Sequence, residues 1–397
     1  MKEKPLTFPK ENVEYIDNDP NKGIKVNWDL LRKYYKKLVK AKNIYNPCKI
    51  PFEHIRYCIL MSTRKTGKTN TLLTMGLLSA WVYGTMIAYV RQTEEMIDYR
   101  NIKSFFDVQL ANNYVSIITG GEYTGIQIKG DYAAFVHYDD KMKVDKRSAP
   151  IMVFLSISKQ LSYKSTLNLP HCNMVLFDEF AGQYGYNEYV EFNQLLSTII
   201  RDKTEVMICM LANSISLYNP YFKELTIAKD IKNLKQNDSA LIKTRKGTSL
   251  YIELIGDASP ERQELNTLYF GFDNPKLSAI TGGDWAVAEY PHIEREDRSI
   301  ITKSIYLVYS DQIVQFELVN NDKMGIHVLV HAASKISEKA LLIFTISDIL
   351  DIRYKFAFGN GKFCKLLWRL YDDHKYFYSD NETGDIVEQY VNTASKL

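Results

Sequence analysis

At 397 residues, with 46% hydrophobic and 24% charged side chains, the chain has enough apolar material for two domains, which excludes a disordered or single-small-core protein. A net charge of +3 excludes a surface that is basic throughout, so any polyanion must meet a local patch. Five scattered cysteines with no C-x-x-C pair argue against a zinc site or a disulfide framework and for free thiols in a reducing cytoplasm.

Residues 1–26 are polar and are expected to run over the surface; without an apolar core segment they do not read as a secretory signal. A helix is predicted over 28–42, where Leu30, Leu31, Tyr34, Tyr35, Leu38 and Val39 recur at helical spacing. Arg32, Lys33, Lys36, Lys37, Lys40 and Lys42 make the rest of it basic, either as a solvated face or as a docking surface for a nucleic acid or an acidic partner. From 55 to 215 the pattern alternates. Strands are predicted at Ile55–Met61, Met86–Arg91, Tyr114–Ile118, Ile151–Ile157, Met174–Phe177 and Val206–Leu211, and helices at 67–82, 93–109 and 188–200. This alternation is that of an α/β domain with a mainly parallel sheet. Glycines at 120, 121, 125 and 130 interrupt it and predict an inserted hairpin over 120–140. The longest apolar stretch, 72–90, is broken by Gly76, Ser79, Gly84 and Thr85, so no membrane span is expected. After about 285 the pattern becomes short strands, at Ile300–Tyr309, Gln312–Leu318 and Ile326–Val330, with helices at 345–351 and 361–372. The expected organisation is an N-terminal extension over 1–44, an α/β domain over 45–255, a linker over 256–285 and a smaller α+β domain over 286–397.

The first strand runs into Ser62-Thr63-Arg64-Lys65-Thr66-Gly67-Lys68-Thr69 and then into a helix. A phosphate-binding loop is G-x-x-x-x-G-K-[ST] in that context; here Ser62 replaces the first glycine. Backbone N–H groups of residues 62–69 would converge on phosphates. Lys68 would reach the β- and γ-phosphates of ATP, and Thr69 would hold Mg2+.

The apolar strand Met174–Phe177 ends on Asp178 and Glu179. Asp178 would join the Mg2+ shell, and Glu179 would deprotonate the attacking water. In parallel α/β sheets ligands bind at strand carboxyl ends, where both motifs fall. Arg201, after the helix, is either an arginine finger for a neighbouring subunit or a cation facing the helix dipole. Asn213, closing the last strand, would sense the γ-phosphate or the water, or only cap a turn.

The order of these motifs, with Leu211–Phe222 reading L-A-N-S-x-S-x-x-N-P-Y-F and Tyr45-Asn46-Pro47 upstream, resembles the DNA-packaging ATPases of small tailed phages of the phi29-like group. The resemblance is good over about 45–225 and thinner over 285–397. It implies an ASCE-type, RecA-like P-loop ATPase domain joined to a degenerate RNase H-like domain. It also implies hydrolysis of ATP with Mg2+ to pump double-stranded DNA, and a homo-oligomeric ring, of five subunits, at the portal vertex of an empty capsid in the host cytoplasm. A packaging RNA often accompanies such rings. By the same resemblance Lys68, Glu179 and Arg201 are the catalytic set, Arg64 is the loop arginine of packaging motors, and Arg91 matches a family arginine, whereas Glu94 stands where a basic residue is expected. Lys164 is a DNA contact by resemblance, and Lys141 and Lys143, with Lys146 and Arg147, by charge alone. The alternative is a terminase with a working metal-dependent nuclease. Asp311, Asp348 and Asp351 in the C-terminal domain form no recognisable metal triad in the sequence, so no nuclease activity is expected.

Overall fold

The computed structural model describes residues 8–394 apart from 42–43, 63–65, 165, 181–185, 214–219, 228–230, 232–233, 236, 245–246, 257–289, 293–298, 310–311, 322–324, 347–352 and 357–360. The chain divides into two compact units, one of residues 1–182, 187–215 and 223–285 and the other of 183–186, 216–222 and 286–397.

The first unit carries β1 (Tyr57–Ser62), β2 (Met86–Arg91), β3 (Gly125–Lys129), β4 (Tyr132–Tyr138), β5 (Val144–Ser156), β6 (Cys172–Asp178), β7 (Met207–Ala212), β8 (Ser239–Lys243) and β9 (Ser249–Ile255). They form a nine-stranded sheet in the order β3-β4-β5-β2-β6-β7-β1-β9-β8. From β5 to β9 neighbouring strands run parallel; β3, β4 and β8 add antiparallel edges. The expectation of a mainly parallel sheet is therefore met at its centre. Ile59, Leu60, Val175, Leu176, Cys209 and Met210 are fully buried, as strands covered on both faces require.

The helices are α1 (Trp28–Leu38), α2 (Lys68–Tyr83), α3 (Tyr99–Ile102), α4 (Asp107–Ala111), α5 (Tyr114–Ile118), α6 (Gln160–Tyr163), α7 (Tyr186–Ile200) and α8 (Pro220–Glu224). α2 buries Leu72, Leu73, Met75, Leu77 and Leu78 in the core that also takes Trp28, Leu31, Tyr34, Tyr35 and Leu38 of α1.

Several sequence expectations need correction. Tyr114–Ile118 is helical, because a five-residue apolar run carries too few repeats to separate period 2 from period 3.6. Its Val115 and Ile118, three apart, share the buried side, and Asn113 enters it at φ 54°. The helix expected over 93–109 breaks into a 3-10 turn, α3 and the start of α4. The helix expected over 28–42 ends at Leu38. The expected helix at 345–351 is a strand at Thr345, and 347–351 lies outside the described residues. The N-terminal segment is also more tightly held than its composition suggests. Phe8 is buried edge-on against Tyr34 at 5.1 Å, Trp81 Nε1 donates to the Phe8 carbonyl at 2.7 Å, and the Glu11 amide donates to the Val82 carbonyl at 2.9 Å.

The second unit holds β10 (Ser299–Tyr309), β11 (Gln312–Asn321), β12 (Gly325–Ala332), β13 (Leu342–Thr345), β14 (Tyr354–Phe356), α9 (Lys362–Asp372), β15 (Tyr376–Tyr378) and α10 (Asn381–Ala394). Its sheet runs β14-β13-β10-β11-β12-β15. β10, β11 and β12 are an antiparallel meander, extended by parallel pairings of β13 on β10, β14 on β13 and β15 on β12. One face packs Leu307, Phe316, Val330 and Phe344 against Leu367 of α9 and Tyr390 of α10.

Gly384 sets how closely α10 approaches its neighbour. A Cβ there would stand 2.2 Å from Cγ and 2.3 Å from Cδ2 of Tyr290. That ring cannot swing aside freely, since its hydroxyl is held between the carboxylates of Asp385, at 2.6 Å, and Glu388. Gly384→Ala is expected to destabilise the protein by about 1–3 kcal/mol through overpacking. Chemical denaturation checks this; an unchanged midpoint would mean that the ring repacks without cost.

Candidate functional site

The carboxyl ends of β1, β2, β6 and β7 lie side by side in the parallel sheet, and the polar residues of the chain's two motifs meet there. β1 ends at Ser62, and α2 starts at Lys68. Gly67 stands between them with φ 81°, a left-handed conformation that glycine adopts without strain. A helix leaves its first four N–H groups without intrahelical partners, so the start of α2 is a ready anion cradle.

Lys68 is buried in this opening. Its ammonium donates to Ser62 Oγ at 2.9 Å and to Asn213 Oδ1 at 2.8 Å. Burial pulls it down to about 8, against the pull of the Asp178 and Glu179 carboxylates. An anion arriving between these groups would favour the charged form further and take over the ammonium. Ser62, at the place of the missing glycine, holds both Lys68 and the Thr66 hydroxyl, the latter at 2.8 Å.

Thr69 Oγ1 lies 3.3 Å from each oxygen of the Asp178 carboxylate. Burial pushes that carboxyl up, while Arg91 and Lys68 pull it down. A hydroxyl beside a desolvated carboxylate is a hard-oxygen pair of the kind Mg2+ accepts. Asp178 is further held by the Tyr89 hydroxyl at 3.2 Å.

Glu179 follows in a left-handed conformation, φ 58°, which turns the chain sharply out of β6. The turn is pinned by the Phe180 amide on the Leu211 carbonyl at 3.1 Å and by the Gln92 side-chain amide on the Glu179 carbonyl. The Glu179 side chain is half exposed and accepts from Arg91 Nη2 at 2.6 Å. Arg91 closes β2, donates through Nη1 to Tyr89 at 3.3 Å and stands 3.9 Å from Asp178.

Thr66, Gly67, Lys68, Thr69, Asn70, Asp178, Glu179 and Asn213 line one cavity of about 440 Å3. The opening thus presents a cation, a hydroxyl–carboxylate pair and a second carboxylate to one small volume. That set can bind an anion, hold a hard cation and take a proton from water.

The remaining expected residues fall elsewhere. Thr63, Arg64 and Lys65 lie outside the described residues. Arg201 is exposed at the end of α7, has φ 46°, and donates to the Leu167 carbonyl at 2.5 Å. It does not line the cavity of its own chain. Lys141 and Lys143 are exposed in the turn between β4 and β5, and Lys164 is exposed just after α6. Tyr89 and Gln92 have no motif of their own in the sequence. Their one signal is position, at the end of an apolar strand that parallel pairing aligns with β6.

A sequence model of the family described as Podovirus DNA encapsidation protein (Gp16) matches residues 39–253. No curated protein matches the chain. Among solved structures, the Phi-28 gp11 DNA packaging motor is similar with a TM-score of 0.55 at 16% identity, over 90% of this chain and 99% of that one. The bacteriophage Phi-29 viral genome packaging motor assembly is similar with a TM-score of 0.56 at 17% identity, over 87% of this chain and 98% of that one. At these identities the two likenesses speak for the fold.

Proposed function

The chain belongs to the podovirus DNA encapsidation protein (Gp16) family, and from that membership we propose that it is a viral DNA-packaging ATPase whose fuel site is the cavity at the ends of β1, β6 and β7. The observation that carries this reading is the convergence of Lys68, Thr69, Asp178 and Glu179 on that one cavity.

In this reading the start of α2 and the loop before it hold the phosphates of ATP, and Lys68 exchanges Ser62 and Asn213 for phosphate oxygens. Thr69 and Asp178 would hold Mg2+, which supplies charge neutralisation at the β- and γ-phosphates. Glu179 takes the proton of the attacking water once Arg91 releases it; while Arg91 holds the carboxylate, the base is occupied. Asn213, already on Lys68, is placed to report whether the γ-phosphate is present. Arg201 is exposed and is offered to the site of an adjacent subunit in a ring, for which five subunits are proposed.

The pumped polymer is double-stranded DNA, gripped through its phosphates, because packaging must tolerate every base sequence. Lys141, Lys143 and Lys164, all exposed, are offered as contacts. The ring would sit at the portal vertex of a capsid in the host cytoplasm, with or without a packaging RNA. An ASCE-type, RecA-like class for the first unit is supported by β1, β7 and β6 lying adjacent and parallel. An RNase H-like class for the second is supported by its antiparallel meander continued by the parallel β13 and β14. It is assigned no nuclease activity; cleavage of plasmid in Mg2+ or Mn2+ would overturn that assignment.

The reading predicts that purified protein hydrolyses ATP and that double-stranded DNA raises the rate several-fold. Phosphate release with and without a linear duplex measures this. Turnover indifferent to DNA in the assembled ring would remove the motor assignment.

A further inference from the structure

The turn after α7 carries Arg201 in a conformation that needs support from outside. Arg201 has φ 46°. A residue other than glycine is strained there and persists where its surroundings over-determine it. Two of the contacts that hold the turn are local. The Arg201 amide donates to the Ser197 carbonyl at 3.1 Å, and the Lys203 amide to the Ile200 carbonyl at 2.9 Å. Two others come from far along the chain. The Arg201 guanidinium donates to the Leu167 carbonyl at 2.5 Å, and the Thr204 amide donates to the Lys22 carbonyl at 3.2 Å.

Lys22 belongs to a closed loop over 15–24. Tyr15 and Ile24 form an antiparallel bridge, and the Ile16 amide donates to the Gly23 carbonyl at 3.0 Å. Asp19 caps the 3-10 turn Pro20–Lys22 by accepting from the Asn21 amide at 2.9 Å, and the Lys22 ammonium pairs with Asp17 at 2.8 Å. The loop is therefore braced by its own contacts, and Gly23 is where it meets the turn after α7. Gly23 is buried with φ 100°. A Cβ on it would stand 3.5, 3.7 and 3.8 Å from Cγ, Cδ and Cβ of Lys203. The buried Lys203 thus lays its aliphatic stem, not its charge, over the glycine.

The nucleotide cavity does not need this contact, since neither the loop nor Lys203 and Thr204 line it. Fastening the N-terminal segment does not need it either, because Phe8 and Ile24 are already buried in the core. What the contact adds is a fixed path for the chain immediately after Arg201.

We propose that Gly23 and Lys203 are positioning residues for Arg201: the loop over 15–24 braces the turn from which the arginine reaches an adjacent subunit. Hydrolysis in one subunit then depends on the N-terminal segment of its neighbour. The inference rests on the reading of Arg201 as a finger that acts in trans. A misplacement of about 1 Å in such a group can cost about 10^2-fold in rate.

The experiment measures ATP turnover and ATP affinity in assembled rings of Lys203→Ala, Gly23→Ala, Lys203→Met and Arg201→Ala. Lys203→Ala removes the stem. Gly23→Ala leaves Lys203 intact and strains the loop at φ 100°. Each is expected to lower kcat about 10–10^2-fold with ATP affinity unchanged. Lys203→Met keeps an unbranched stem without the charge and should turn over like wild type. Mixing Lys203→Ala with Glu179→Gln subunits should recover activity, because the first keeps its base and the second keeps a braced arginine. Wild-type turnover in Lys203→Ala or Gly23→Ala, with Arg201→Ala inactive, would overturn the brace and leave the finger. Full turnover in Arg201→Ala would remove the finger and the brace with it. Equal loss in Lys203→Met, weakened ATP binding in Lys203→Ala or no recovery on mixing would reduce the contact to a structural fastening and overturn the proposal.

Discussion

Glu179→Gln is expected to stop ATP turnover while leaving ATP bound, lowering kcat by about 10^2–10^4-fold, the usual contribution of a positioned general base. The amide keeps the size and the hydrogen-bonding reach of the carboxylate but cannot take a proton from water. The hydrogen bonds of the phosphate cradle do not change, since Lys68 donates to Ser62 and Asn213 and not to Glu179; only the carboxylate's pull on the ammonium is lost. One local interaction does change: the ion pair of Arg91 with Glu179 at 2.6 Å becomes a hydrogen bond from the guanidinium to a neutral amide oxygen. That bond is half exposed, so its loss should leave the fold in place. Nucleotide affinity by fluorescence and turnover by phosphate release, on the same preparation, separate the two effects. Equal turnover in variant and wild type would remove Glu179 as the base and leave Asp178 as the acid to examine.

Arg201→Ala is expected to lower turnover by about 10^3-fold or more if the guanidinium acts on a neighbour's γ-phosphoryl group, the range found for arginine fingers. In the single chain Arg201 is exposed, among the described residues its guanidinium donates only to the Leu167 carbonyl, and it lies outside its own cavity, so a role in catalysis has to be exercised in trans. Mixing makes this testable. An Arg201→Ala subunit keeps its base, and a Glu179→Gln subunit keeps its arginine. Rings assembled from both contain interfaces with one intact base facing one intact arginine, and should recover activity that neither variant shows alone. If Arg201 merely braces the turn after α7, the variant should instead melt earlier in proportion to its lost activity, and mixing should restore nothing.

These expectations draw on two kinds of information. The buried central strands were legible because they are apolar on both faces, and Met86–Arg91 in the fold has the bounds its sequence predicts. The residues that share the cavity were legible because Gly67-Lys68-Thr69 and Asp178-Glu179 are contiguous runs at a strand end and a helix start. Short segments were not legible. Tyr114–Ile118 reads equally as strand or helix until its neighbours decide which side is buried. The polar N-terminus gave no sign that Phe8 and Trp81 would tie it down.

What the sequence by itself determined is the set of groups that strand ends and helix starts carry, because period, capping and glycine placement act over a few residues. The pairing of β2 with β6 set Arg91 on Glu179 and Tyr89 on Asp178, and the order β6-β7-β1 set Asn213 on Lys68. The partners in these contacts lie 88, 89 and 145 residues apart along the chain. Tertiary structure alone also sorted the cations of α1, taking Arg32 into an internal ion pair and leaving Lys33, Lys36 and Lys37 to solvent, because ion pairing depends on which carboxylate folding brings within reach.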